Sequence, residues 1–171
     1  MRLDEAIGVA LEFERKVRDH YYREGKAIQD PAGRRAFETL ATEEQGHVDY
    51  LESCLKEWLK TGKVGDVPMK SVLPKGQQWI AQARKKLEGR PGKRVAEANE
   101  VEALKLAVQY EKDADSFYRK LVAGLAEKDR ALFSKFLDIE DGHLDLVQAQ
   151  LDSVLGTGFW FDVMEFRLET E

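Results

Sequence analysis

Hydrophobic and polar positions follow a helical period in two long stretches of the chain. Residues 3–29 and 100–155 carry apolar side chains at three- and four-residue spacing, contain no proline and lack strand-like alternation. Both stretches are also rich in Ala, Leu, Glu, Lys and Arg, which favour helix. The pattern therefore predicts an all-α protein.

The first half of the chain is predicted to form two helices. Asp30 followed by Pro31 has the chemistry of a helix N-cap and the first helical position. Proline is tolerated at that position because its missing N–H would have no partner within the helix. We therefore expect helices over about residues 3–29 and 31–60.

The second half also contains start and stop signals for two helices. Asn99 with Glu102 three residues later resembles a capping box and predicts the start of the third helix. Gly124 and the charged run at residues 127–129 predict a turn before a fourth helix. We expect that helix to end at the Gly-Thr-Gly sequence of residues 156–158.

A long connection punctuated by Gly and Pro, residues 61–98, separates the two halves. Within it, apolar residues at helical spacing predict a short amphipathic helix near residues 75–88. A crossover of this length allows the second and third helices to run parallel. The prediction is a four-helix bundle over residues 1–155, built from hairpins 3–60 and 100–155 with one long crossover, followed by a tail at 156–171.

The two hairpins resemble each other in sequence. A shift of 96 residues places Arg34 on Arg130 and superimposes five further identical pairs: Phe37 and Phe133, Glu44 and Glu140, Gly46 and Gly142, His47 and His143, and Asp49 and Asp145. A shift of 97 aligns the first and third helices, with Glu14 on Glu111 and Tyr21 on Tyr118. The repeat predicts an approximate two-fold axis.

Six ionisable residues interrupt the apolar faces of the four helices near their midpoints. In the first helix, for example, the acidic residue shares its face with Ala10 and Val17. We expect all six side chains to point into one core. They are Glu14, Glu44, His47, Glu111, Glu140 and His143.

Four carboxylates at one level of a core require cations or protons, since an unpaired buried charge costs several kcal/mol. Two divalent ions would balance the four glutamates, and the two imidazoles would be additional neutral ligands. Glu44 with His47, and Glu140 with His143, are three residues apart, so each pair can address one ion. Carboxylate oxygens can bridge two metals, and carboxylate with imidazole suits iron or manganese.

These residues resemble the di-iron motif of the ferritin-like superfamily, and rubrerythrin in particular. The resemblance rests on Glu-Gln-Gly-His at 44–47, Glu-Asp-Gly-His at 140–143, and the two Glu–Tyr pairs of the first and third helices. It covers about residues 3–153 and implies a ferritin-like bundle that holds two iron ions, with manganese or a mixed pair as a variation.

The resemblance also implies a role for each residue of the motif. Glu14 and Glu111 would be ligands or bridges, Glu44 and Glu140 bridging or chelating carboxylates, and His47 and His143 the nitrogen ligands. Tyr21 and Tyr118 would hydrogen-bond the carboxylates of the first and third helices. Alternatively, these tyrosines are core residues whose hydroxyls find any available acceptor.

By this resemblance the protein is a non-haem di-iron oxidoreductase that reduces hydrogen peroxide or dioxygen, with a function in oxidative stress. Rubrerythrins commonly end in a rubredoxin-like domain with four cysteines, whereas this chain has only Cys54. We therefore expect an external donor, a rubredoxin-like protein or a flavoprotein reductant. Rubrerythrins often carry a further glutamate one turn after the third-helix ligand, where this chain has Ala114.

Two other functions remain open. The same site could oxidise Fe(II) as a ferroxidase and deliver Fe(III) to a store, as an iron-handling protein would. The bundle could instead be a metal-free helical interaction module with protonated or hydrated glutamates. We expect a homodimer, and the long crossover would allow two chains to exchange hairpins.

Composition limits the compartment and the partners. The 171 residues are 35% charged with a mean hydropathy of −0.51, so a membrane span is not expected. Acidic residues near the start are unlike a signal peptide, and a single cysteine excludes an internal disulfide; both favour the cytoplasm. The net charge of −5 argues against nucleic acid as a partner.

Several other features have more than one interpretation. Residues 60–94 hold ten Lys and Arg but only two acidic residues, which indicates a solvated connector or an anion-binding surface. The aromatic tail at 159–166 would fold onto the bundle, form a dimer contact or dock to a partner. We interpret His20 as a residue peripheral to the site or in contact with its ligands, and not itself a ligand, and Cys54 as a buried apolar thiol. Gly46 and Gly142 are predicted to permit close helix approach.

Overall fold

The computed structural model describes residues 1–65, 68–69, 71, 73 and 98–156. These residues form four α-helices and no strand, as predicted. The predicted short helix at 75–88 and the aromatic tail at 159–166 lie outside the described residues. The helices are α1 (Leu3–Gly25), α2 (Pro31–Thr61), α3 (Ala98–Gly124) and α4 (Glu127–Val154).

The predicted cap of α2 is present. The Asp30 carboxylate accepts a hydrogen bond from the N–H of Gly33 at 2.7 Å, and Pro31 is the first helical residue. α1 ends at Gly25, four residues earlier than predicted. The chain turns there, and Ile28 after the turn is still buried in the core.

Both hairpin turns use the same arginine contact. The Arg34 guanidinium donates to the carbonyl of Ile28 at 2.9 and 3.1 Å, and Arg130 donates to the carbonyl of Leu125 at 3.1 Å. Each arginine satisfies a turn carbonyl that has no strand or helix partner. The sequence repeat is therefore also a structural repeat.

The other helix ends agree with prediction except at the start of α3. α2 ends at Thr61, and Gly62 adopts the left-handed φ of 70° that glycine tolerates. The predicted capping box at Asn99 is not formed, because α3 already begins at Ala98. The Asn99 side chain instead accepts a hydrogen bond from the adjacent N–H of Glu100.

The helices pack as two antiparallel hairpins, α1 with α2 and α3 with α4, and α1 also contacts α3. One apolar cluster joins the end of α1 and the start of α2 to the start of α3 and the end of α4. The other cluster joins the four opposite ends. α2 and α3 therefore run parallel, as the long crossover predicted.

The two apolar clusters fill opposite ends of the bundle. Phe37, Leu40 and Leu146 belong to one cluster, whereas Leu51, Phe133 and Phe136 belong to the other. On each helix, a buried glutamate lies between the residues of the two clusters, and α2 and α4 also have a buried histidine there. Together these side chains form a layer across the bundle. This layer is the candidate site. None of the described helices is long and apolar enough to cross a bilayer.

Candidate metal centre

The six ionisable residues predicted to converge do so at mid-height of the bundle. α1 contributes Glu14 and α3 contributes Glu111, whereas α2 and α4 each contribute a glutamate and a histidine one turn apart. All six side chains are at most 1% exposed. They are Glu14, Glu44, His47, Glu111, Glu140 and His143.

His47 lies at the centre of the first set of possible ligands. Its Nδ1 is 3.1 Å from Oε2 of Glu14 and 3.1 Å from Oε2 of Glu44. Oε1 of Glu140 lies 3.4 Å from the same nitrogen. These four residues place one donor atom each within 4.8 Å of one another, close enough to surround one ion.

His143 lies at the centre of the second set. Its Nδ1 is 2.9 Å from Oε1 of Glu44 and 3.9 Å from both Oε2 of Glu111 and Oε2 of Glu140. This group also has its donor atoms within 4.8 Å. The two imidazoles stack nearly parallel, with ring centroids 5.3 Å apart.

Glu44 and Glu140 belong to both sets. Oε2 of Glu44 faces His47 while its Oε1 faces His143. Glu140 does the same with its two oxygens in the opposite order. Each carboxylate is therefore placed to bridge two ions, and Glu14 and Glu111 each belong to one set.

Two buried tyrosines connect the glutamates of α1 and α3. The Tyr21 hydroxyl donates a hydrogen bond to Glu111, and the Tyr118 hydroxyl donates one to Glu14. Burial, followed by the facing carboxylate, raises the pKa of each tyrosine well above its usual value. The hydroxyls therefore stay protonated and act as donors.

The acids and imidazoles compensate one another's charge. Burial raises the pKa of Glu14 and of Glu111 to about 7, and it raises that of Glu140 well above the usual value. For Glu44, burial acts in the same direction, but the two imidazoles prevail and lower its pKa. Burial disfavours charged His47 and His143, yet the surrounding carboxylates raise the pKa of both. Without metal, the cluster therefore retains protons.

The donor atoms fit divalent cations better than protons alone. Within the described part of the chain, four buried atoms of the two ligand sets make no hydrogen bond, although two of them, Oε1 of Glu44 and Nδ1 of His143, lie 2.9 Å apart as an ion pair. Buried polar atoms without a partner are rare, and lone pairs directed at a common point are what a metal ion requires. These atoms are Oε1 of Glu44, Oε2 of Glu111, Oε1 of Glu140 and Nδ1 of His143.

One buried carboxylate near the cluster was missed by the sequence analysis. Glu43 is 1% exposed, and its Oε2 lies 3.7 Å from Nε2 of His143. Together with His47 and His143 it forms a third group of possible ligands. It lies three residues after Leu40 and four before His47, on the buried face of α2, so the same helical spacing that indicated Glu44 would also have indicated Glu43.

The residues interpreted as structural lie apart from these ligand groups. His20 is buried against Tyr110, with ring centroids 4.8 Å apart, and is in none of the ligand groups. Cys54 is a free, buried thiol whose pKa is raised by burial, which disfavours the reactive thiolate. The prediction of close helix approach is wrong for Gly142, where a Cβ would meet no atom within 4 Å among the described residues.

Comparison with known proteins supports the fold alone. No protein-family model matches the chain, and the search of curated proteins found no match. Among solved structures, a hypothetical protein from Pyrococcus furiosus matches with a TM-score of 0.62 over 94% of each chain at 20% identity. At this identity the similarity establishes the architecture, and the function has to be inferred from the site.

Proposed function

We propose that the protein holds two iron ions between its four helices and reduces hydrogen peroxide or dioxygen with electrons from an external donor. The observation that carries the proposal is the double orientation of Glu44 and Glu140, each with one oxygen toward each histidine. Two carboxylates shared by both ligand sets would help to hold two ions, each of which could supply one electron to a two-electron reaction.

The chain's own residues would supply a balanced ligand set. Each ion would have one imidazole and one unshared glutamate, Glu14 with His47 or Glu111 with His143, in addition to the two shared carboxylates. Four carboxylates carry a charge of −4, which two divalent ions neutralise in a site that excludes water. Oxygen and nitrogen donors without thiolate favour iron or manganese over thiolate-binding metals.

Two ferrous ions held by these residues would supply the chemistry that no side chain can, namely the two electrons that, with two protons, convert hydrogen peroxide to two waters. The protein fixes the donor atoms and keeps their orientation. The Tyr21 and Tyr118 hydroxyls orient the unshared carboxylates, and the Phe136 ring packs 5.0 Å from that of His47. Turnover would then require a reductant that restores the ferrous state.

The proposal is tested by anaerobic loading with Fe(II), followed by stopped-flow mixing with hydrogen peroxide and with dioxygen in parallel. We expect two irons per chain and a single fast oxidation of the loaded protein. A Glu44→Gln/Glu140→Gln double variant removes both shared carboxylates and should bind neither ion. Glu100→Gln, which changes a buried glutamate about three turns before Glu111, serves as the matched control and should load normally.

The outcomes separate this function from the two alternatives. Many irons retained per chain, with Fe(II) oxidation continuing beyond two equivalents, would favour iron handling by a ferroxidase. Absence of bound iron or manganese in the wild-type protein after gentle purification and after loading would favour a metal-free interaction module. Either result would contradict the proposed oxidoreductase.

A further inference from the structure

Glu43 is fixed by the connection that follows α2. Its Oε2 accepts a hydrogen bond from the Ser71 hydroxyl at 2.6 Å, and its Oε1 accepts one from the N–H of Leu73 at 3.2 Å. The Ser71 hydroxyl lies 3.1 Å from the Leu73 carbonyl, and its oxygen also accepts from the Leu73 N–H, so the three residues form one local network. The carboxylate is thereby held in a defined position on the outer side of the cluster.

The two ring nitrogens of His143 face different groups. Nδ1 points toward Glu44 and the rest of the second ligand set, whereas Nε2 faces Oε2 of Glu43 at 3.7 Å. At 3.7 Å this contact is longer than a hydrogen bond, and the carboxylate acts on Nε2 electrostatically: it favours the tautomer with the proton on that nitrogen, which leaves the Nδ1 lone pair for a metal ion.

The repeat does not provide His47 with such a partner. The shift of 96 residues that places Glu44 on Glu140 places Glu43 on Ile139, whose side chain can neither accept a hydrogen bond nor carry charge. Within the described residues, Nε2 makes no hydrogen bond in either histidine, but Oε2 of Glu43 faces that of His143 at 3.7 Å; an oxygen of Glu43 also lies within 4.8 Å of a nitrogen of His47. The repeat relates the six predicted ligands to one another. It does not relate the residues next to the two histidines in the same way, since Glu43 corresponds to Ile139.

We propose that Glu43 is a positioning residue that makes the metal position at His143 the tighter of the two, and that Ser71 and Leu73 hold it there. The inference rests on the proposed function, since it concerns the same pair of ions. It adds that the metal position at His143 fills before the one at His47. Ser71 and Leu73, in the connection between α2 and α3, stabilise that position through Glu43. Mutation of the residue that contacts the non-ligating nitrogen of a metal-bound histidine typically weakens metal affinity by about 10- to 100-fold.

The test is a titration of the metal-free full-length protein with Co(II), followed by visible absorption and calorimetry. Wild-type protein should bind two ions in two resolved steps. Glu43→Gln should weaken the tighter step by about 10- to 100-fold and change the Co(II) spectrum of that step. The second step should be altered far less, because Glu43 lies beside His143.

Two further variants separate positioning from a general loss of structure. Glu100→Gln removes the charge of another buried glutamate and should leave both steps unchanged. Ser71→Ala keeps Glu43 but removes one of its anchors, and should weaken the tighter step by a smaller factor than Glu43→Gln. If Glu43→Gln fails to fold by circular dichroism, Ser71→Ala carries the test.

Failure of this inference differs from failure of the proposed function. Wild-type protein that binds no Co(II) would refute the metal centre and the inference with it. Two equal steps in the wild type, or equal weakening of both steps by Glu43→Gln, would refute the positioning role and leave the metal centre intact. An unchanged tighter step in both Glu43→Gln and Ser71→Ala would also overturn it.

Discussion

The hydroxyl of Tyr118 on α3 donates a hydrogen bond to the carboxylate of Glu14 on α1. The repeat-related pair makes the reciprocal contact, since Tyr21 on α1 donates to Glu111 on α3. Each tyrosine thus contacts the glutamate of the opposite helix and not the one that precedes it by seven residues. The two hairpins are tied together by this exchange at the level of the proposed metal centre.

Removal of one of these hydroxyls should destabilise the metal-free protein. At pH 8, where Glu14 is charged, Tyr118→Phe leaves a buried carboxylate oxygen without its donor, at a cost of about 1–3 kcal/mol. Tyr21→Phe should cost a similar amount because it is the repeat-related contact. Urea denaturation measures both values.

Tyr110→Phe is the matched control for these variants. Tyr110 is partly buried on α3, and its hydroxyl has no hydrogen bond among the described residues. Its removal should change the free energy of unfolding by less than about 0.5 kcal/mol. Equal effects of Tyr110→Phe and Tyr118→Phe would mean that the contact with Glu14 contributes nothing specific.

Substitution of a glutamate that belongs to both ligand sets should reduce the number of bound metal ions per chain more than substitution of a glutamate that belongs to one set. Glu44 belongs to both ligand sets, so Glu44→Gln should abolish binding of both ions. Glu111 belongs to one set, so Glu111→Gln should leave one ion per chain, held with His47. Elemental analysis after anaerobic loading with Fe(II) gives the counts, and identical counts in the two variants would contradict the bridging arrangement.

Metal binding should strengthen as pH rises from 5 to 8. The pKa of Glu14 and of Glu111 is raised from 4.5 to about 7, so in this window the metal-free folded state retains protons that the unfolded chain releases. Their contribution to stability is complete below pH 4.5 and is lost as pH rises through 7. The raised pKa values of His47 and His143 act in the same direction.

The difference in thermal stability between the metal-free and the metal-loaded protein should therefore depend on pH. A metal ion must displace these protons, so it competes poorly at pH 5 and well at pH 8. The Tm difference between Mn(II)-loaded and metal-free protein should therefore increase with pH, as measured by scanning calorimetry. A difference that is constant from pH 5 to 8 would show that Mn(II) does not occupy the protonated cluster.

Gly142→Ala should stabilise the protein. Gly142 lies inside α4, and a Cβ there would meet no atom within 4 Å, so alanine gains helix propensity worth up to about 1 kcal/mol without a steric cost. Gly62→Ala is the opposite case, because Gly62 has a φ of 70° that alanine rarely adopts, and it should destabilise. Thermal unfolding compares the two, and a lower Tm for Gly142→Ala would contradict the open space beside α4.

The sequence by itself determined the four helices, the parallel course of α2 and α3, and the convergence of six ionisable residues. These properties follow from local periodicity, which fixes the face on which a side chain lies, and from the length of the crossover. The turn after α1 was the exception. α1 ends at Gly25, where an added Cβ would lie only 3.1 Å from Cβ of Phe37 on α2, and the period of one helix does not describe such a close approach between two helices.

Only the tertiary structure decided which atoms meet. The crossed contacts of Tyr21 and Tyr118, and the two-sided orientation of Glu44, depend on how helices from opposite hairpins are aligned. Glu43 is anchored by Ser71 and Leu73, residues about 30 positions away in the connection that follows α2. Periodicity describes one helix at a time, whereas each of these contacts joins segments whose relative position is set by packing of the whole bundle.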